Sequence, residues 1–171
     1  MFTSPNLTGD RYVHFITFSC FKRRRLLVTP KVNHILLGGL DRLLAQHSAK
    51  CVGFVFMPDL LHALIWLPQA EDLTAFVQEW KGRSSRHINA AMSSHIPNYL
   101  ATISSDDPIW QTGYYSFEIE TAAKLEEKLN YIHLNPVRAG LAEATTEWPW
   151  SSARWYESGK PVGIPIEWIQ I

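Results

Sequence analysis

Cys51-Val-Gly-Phe-Val-Phe-Met-Pro-Asp-Leu-Leu-His-Ala-Leu-Ile-Trp-Leu67 is two apolar runs broken by Pro58-Asp59. β-Branched and aromatic residues fill both runs, and Pro-Asp is turn chemistry. The stretch therefore predicts strands over 51–57 and 60–67, joined as a hairpin. Period-two alternation puts Leu60, His62, Leu64 and Trp66 on one face, and Leu61, Ala63, Ile65 and Leu67 on the other. Pro68 ends the second strand.

The chain reads symmetrically outward from this hairpin. Upstream, Pro30 to about His47 carries Val32, Ile35, Leu36, Leu40, Leu43 and Leu44 at helical spacing, with Pro30 near the start. Gly38-Gly39 costs this helix roughly 1 kcal/mol per glycine relative to alanine and allows a kink. Before it, Arg11–Cys20 predicts a strand with Tyr12, His14, Ile16 and Phe18 on one face. His14 is either a core histidine or a group that approaches substrate. Downstream, Glu71 to about Met92 predicts a helix, and 93–107 an irregular excursion. Pro108 to about Ile119 predicts a fourth strand or extended segment, and a further helix follows. The order β-α-β-β-α-β plus a helix implies an α+β, ferredoxin-like fold: a four-stranded antiparallel sheet with helices on one face, plus a C-terminal tyrosine-bearing helix and tail.

That last helix lies in Lys124-Leu-Glu-Glu-Lys-Leu-Asn-Tyr-Ile-His-Leu-Asn-Pro-Val-Arg-Ala-Gly140. Leu125, Leu129 and Ile132 form its buried stripe, while Glu127, Tyr131 and Asn135 share another face. Pro136 predicts a hard stop and Gly140 an exit. Two readings stand. Tyr131 and Asn135 put a nucleophile beside a metal ligand, or Tyr131 is an amphipathic rim residue and Asn135 a helix cap before Pro136.

At 171 residues the chain is expected to be one domain over 11–157, with a flexible lead-in at 1–10 and a tail at 158–171. No apolar run is long enough to span a bilayer and the N-terminus has no signal pattern. Cys20 and Cys51 read as buried thiols, and a cytoplasmic location is expected. The zero net charge hides an asymmetry: residues 11–50 hold eight Lys and Arg against one acid. Lys22, Arg23, Arg24 and Arg25 form either a phosphate-binding turn or a solvated loop. Lys81, Arg83 and Arg86, among hydroxyls in Trp80-Lys-Gly-Arg-Ser-Ser-Arg86, pose the same choice. In Trp148-Pro-Trp-Ser-Ser-Ala-Arg154, aromatics beside Arg154 either stack on bases or pin the tail to the core.

Six pieces in this order carry a resemblance: Arg11-Tyr-Val-His-Phe-Ile-Thr-Phe18, Met57-Pro-Asp-Leu-Leu-His62, Trp80-Lys-Gly-Arg-Ser-Ser85, Trp110-Gln-Thr-Gly-Tyr-Tyr115, Tyr131-Ile-His-Leu-Asn-Pro-Val-Arg-Ala-Gly-Leu141 and Trp148-Pro-Trp-Ser-Ser152. Over roughly 10–157 the chain resembles the single-tyrosine HUH transposases (IS200-like transposases), most closely the REP-associated ones. The resemblance implies cleavage and rejoining of single-stranded DNA next to a hairpin through a 5′-phosphotyrosine. It implies Tyr131 as nucleophile, and Mg²⁺ or Mn²⁺ held by His62 and Asn135. It implies DNA contacts from the cations named above and from Arg138, and a monomer or homodimer. One departure stands out. Where the family writes His-x-His, this chain writes Leu60-Leu61-His62, and leucine coordinates nothing. The alternative implied is a hairpin-DNA-binding protein with impaired cleavage.

Overall fold

The computed structural model describes residues 12–95 and 106–171. The expected lead-in and most of the 93–107 excursion lie outside these residues. Strands β1 (Val13–Ser19), β2 (Lys50–Phe56), β3 (Leu60–Trp66) and β4 (Tyr115–Ile119) form one sheet in the order β2-β3-β1-β4. Every neighbouring pair is antiparallel. With helices α1 (Pro30–Gln46) and α2 (Leu73–His95) between strands, this is the ferredoxin-like α+β arrangement.

The alternation read from β3 sorts the core into two layers. Leu61, Ala63, Ile65 and Leu67 join Ile16 and Phe18 beneath α1 and α2. Leu64, with Leu60 and Trp66 at its margin, joins Val13 and Phe15 on the opposite face, against α3 (Ala122–Arg138). The first two helices thus share one face, and the tyrosine helix covers the other.

Two glycines face packed side chains, and only Gly53 is needed for the close approach. Gly39 leaves α1 continuous. A Cβ there would stand 3.5 Å from the Trp80 ring, and Trp80 Nε1 donates to the Leu36 carbonyl at 3.2 Å. At Gly53 a Cβ would stand 2.5 Å from Leu129 of α3, so only glycine lets that helix lie so close to β2. The β2–β3 register slips at the same place, between Cys51 and Gly53, which the alternation did not announce.

Several expectations change. Helix α3 does not stop at Pro136. It runs through to Arg138, and the amides of Ala139 and Leu141 cover the carbonyls of Asn135 and Pro136. A proline in the last turn forfeits one donor, and its ring is buried here, which offsets part of that loss. Asn135 is therefore inside the helix rather than a cap. The fourth strand begins only at Tyr115. Upstream of it, Trp110 makes a single bridge to Cys20, and Gly113 turns the chain at φ 77°. His14 is a core residue, 2% exposed, with Nδ1 unpaired.

The segment after α3 straps the β2 edge. Phe56 N donates to Trp150 O at 2.8 Å, and Ser152 N to Phe54 O at 3.0 Å. Trp148 Nε1 donates to Phe56 O at 2.9 Å, so the Trp148 and Trp150 region pins to the core, as one of the two readings had it. A short helix, α4 (Ala153–Ser158), follows, and Tyr156 donates its hydroxyl proton to Val52 O at 2.6 Å. Beyond it, Val162, Ile164 and Ile166 are buried in the α1/α2 layer. Trp168, Ile169 and Ile171 pack on the α3 layer, so residues 158–171 cross the sheet edge from one core to the other.

Candidate active site

β1, β3 and α3 bring the site together. His62 lies opposite Thr17 across the β1–β3 pair, and its Nδ1 is 2.6 Å from the Thr17 hydroxyl. Phe15 stacks on the imidazole, with ring centroids 5.3 Å apart. Burial first, and then the positive charges of Arg23 and Lys128, pull the His62 pKa down to about 4. At neutral pH the ring is uncharged, its Nδ1 is engaged, and no hydrogen bond among the described residues reaches Nε2.

Helix α3 lays Tyr131 over this pair, its ring centroid 5.8 Å from that of His62 and 6.3 Å from that of Phe15. Tyr131 is 40% exposed, and its hydroxyl has no hydrogen-bond partner among the described residues. Two cations flank the ring. Lys128 Nζ stands 5.6 Å from its centroid and the Arg138 guanidinium 5.8 Å. Lys128 also lies over Phe15 at 5.3 Å and Phe117 at 5.8 Å. The sequence reading missed Lys128. Its signal was available, since Lys128 is three residues before Tyr131 and shares its side of the helix.

The helix is held in place from behind. His133 points away from Tyr131 into the core, with Nε2 2.7 Å from Ser152 Oγ. That hydroxyl also accepts from Phe54 N at 3.0 Å. Burial keeps His133 neutral, with its pKa lowered to about 4. One serine thus joins α3, β2 and the tail, and accounts for a Tyr131-Ile-His and a Trp-Ser-Ser piece in one chain.

The donors do not make a metal centre by themselves. Leu60 occupies the expected third-ligand position, partly buried against the α3-side core. The neighbouring Asp59 does not replace it, because its carboxylate accepts from Arg23 Nε at 2.9 Å. Asn135 makes no side-chain hydrogen bond among the described residues. Those residues contain no cluster of three His, Cys, Asp or Glu suited to a metal. One imidazole nitrogen and one carboxamide, both neutral, do not fit a hard divalent ion that favours several oxygens and carboxylate charge.

The cations expected to meet DNA divide into two groups. Arg24 donates to the carbonyls of Phe21 and Pro108, and Lys81 to those of Gln111 and Gly113, at 2.7 and 2.6 Å. Arg83 pairs with Glu79, Arg23 with Asp59, and Arg154 donates to Thr146 O. These five serve the fold. Lys22 rests over the Phe21 ring, and Arg86 and Arg138 are exposed. Arg25 is itself in contact with neighbouring groups. The Trp80–Ser85 and Trp110–Tyr115 pieces are thus one clamp, since Trp110 Nε1 also donates to Ser84 Oγ at 3.0 Å.

The site is thus an exposed tyrosine, carried on a helix, above a histidine of a four-stranded antiparallel sheet. The chain belongs to the IS200-like transposase family, whose pattern it matches over residues 9–135. A REP-associated tyrosine transposase of Escherichia coli is 21% identical over 155 residues, 90% of this chain and 82% of that one. A Haemophilus influenzae protein named as a REP-associated tyrosine transposase is 24% identical over 157 residues, 91% of this chain and 86% of that one. Among solved structures, a REP-associated tyrosine transposase bound to a REP hairpin superposes with a TM-score of 0.67 at 18% identity, covering 100% of this chain and 95% of that one. No helix among the described residues is long and apolar enough to cross a membrane.

Proposed function

We propose that this transposase-family protein cuts and rejoins single-stranded DNA beside a hairpin through Tyr131. The observation that carries the reading is the Tyr131 hydroxyl, without a hydrogen-bond partner among the described residues, on an exposed ring 5.8 Å from His62. The phenol oxygen attacks the phosphorus and loses its proton to solvent. The P–O3′ bond breaks, and the 3′ oxygen leaves and takes a proton. A 5′-phosphotyrosine and a 3′-hydroxyl result, so the phosphodiester energy is kept for rejoining. A phenol with a pKa of about 10 is a poor nucleophile at pH 7 and needs positive charge near the attacked phosphate. The family's metal would supply it, but the donors here do not hold one independently, so no step is assigned to a metal.

Leu60 favours a second reading, a hairpin-binding protein with impaired cleavage. The hairpin partner is suggested by the relative whose structure contains one. A denaturing gel with labelled hairpin oligonucleotide and Mn²⁺ or Mg²⁺ separates the readings. A covalent band that Tyr131→Phe removes supports cleavage. Native-gel binding without that band supports the second reading, and neither band overturns both.

A further inference from the structure

We infer that Lys128 is the phosphate-binding cation of the site, supplying beside Tyr131 the positive charge that the Leu60-depleted ligand set does not gather. The inference rests on the reading of Tyr131 as nucleophile. It stands on placement. The ammonium lies over the faces of Phe15, Phe117 and Tyr131, at 5.3, 5.8 and 5.6 Å. No carboxylate pairs with it among the described residues, whereas Lys124, one turn earlier, is tied to Glu127 at 2.7 Å. A lysine stem normally sweeps a wide volume. Here three ring faces confine it, so the charge is placed beforehand beside the Tyr131 ring. Ring faces attract a cation without neutralising it, so its charge and its three donors remain available to a phosphate oxygen.

A phosphate seated there lies within reach of the Tyr131 oxygen. Lys128 lowers the cost of gathering negative charge on the phosphate. Arg138, 5.8 Å from the ring centroid, is the second cation beside the same ring.

The test uses the full chain and a labelled hairpin oligonucleotide with single-stranded flanks, in EDTA, so that neither metal nor metal-driven turnover contributes. The slope of log Kd against log salt is measured for wild type, Lys128→Met, Lys128→Arg and the distant control Lys160→Met. Removing one single-strand phosphate contact is expected to lower the slope by about 0.7 and the affinity several-fold. Lys128→Met should show this, Lys128→Arg should recover it, and Lys160→Met should match wild type. Methionine keeps the packing against the rings, and a thermal melt shared with wild type confirms folding.

The second readout is the rate of the covalent adduct, measured separately with Mn²⁺ in place of EDTA, expected to fall about 100-fold in Lys128→Met and to be rescued by arginine. An unchanged slope overturns the inference whether or not an adduct forms. A reduced slope with an unchanged adduct rate overturns the placement beside the reacting phosphate. A reduced slope with no adduct from any variant keeps Lys128 as a DNA-binding cation and sinks the nucleophile reading instead.

Discussion

Two clusters on opposite faces of the sheet treat their polar side chains in opposite ways. On the α1/α2 face, Trp80, Lys81, Ser84 and Trp110 all spend their donors on partners within the chain. On the α3 face, the Tyr131 hydroxyl, the Asn135 amide, His62 Nε2 and the Lys128 ammonium have no hydrogen-bonded partner among the described residues. Burying unpaired polar groups is costly, so a chain that keeps four of them together does so at a surface that solvent or a ligand can reach. The bonded face makes the fold, and the open face is where chemistry is left to do.

The contrast breaks most sharply at Tyr131. Tyr131→Phe should abolish the covalent adduct on denaturing gels, a loss of at least about 1,000-fold for removal of a nucleophile. Hairpin affinity on native gels should stay within about two-fold. Retention of the adduct would move the nucleophile elsewhere.

Next in size is the serine that ties the open face to its support. Ser152→Ala leaves His133 Nε2 and Phe54 N without their shared partner, and should cost about 1–3 kcal/mol in urea unfolding. Adduct formation should fall with it as α3 loosens. A stability loss with unchanged chemistry would show that α3 holds its position without the latch.

Leu60→His tests the departure in the ligand set. Mn²⁺ should raise the melting temperature of the variant more than that of wild type, by the linkage of metal binding to folding. Adduct yield should become metal-dependent. Equal metal response in the two proteins would mean that residue 60 is not a ligand position.

A smaller effect belongs to the bonded face. Burial lowers the His14 pKa below its ordinary 6.5. The unfolded chain then takes up the proton first, so this contribution is complete above about pH 6.5 and shrinks as pH falls below it. Urea midpoints at pH 7.5 and pH 5.5 should differ, and His14→Phe should reduce the difference. His62 and His133, also lowered, act in the same direction, so a rise in stability on acidification would contradict all three placements.

The smallest effects separate the cations. Arg86→Ala should weaken hairpin binding a few-fold, lower the salt slope by about 0.7 and leave the melt unchanged. Arg24→Ala should do the reverse, lowering stability through its lost bonds to Phe21 and Pro108 while leaving the slope alone.

Much of this was legible in order and alternation. The alternation read over 60–67 is kept by the structure, whereas the side of the sheet that the Tyr131 helix covers was not in that pattern. Periodicity says less about a proline near a helix end, because whether Pro136 stops the helix depends on whether the next amides find carbonyls to cover. It says nothing of which cations are free. Arg24 and Arg86 look alike in sequence, and only the position of the Pro108 carbonyl distinguishes them. The β2 irregularity at Gly53 was equally hidden, since it answers to Leu129, far along the chain. Lys128 was half legible: its spacing puts it on the Tyr131 side of the helix, but the three rings around it appear only in the fold.

The strap over β2 sets the order of assembly. Phe54 meets Ser152 across 98 positions of sequence, and the same hydroxyl anchors the helix that bears Tyr131. Closing so long a loop is entropically slow, and during synthesis residues 150–156 emerge after every strand of the sheet. The sheet can form before then, but the Ser152 tie between β2 and the Tyr131 helix cannot. The strap is therefore the last of these contacts to close on a nascent chain.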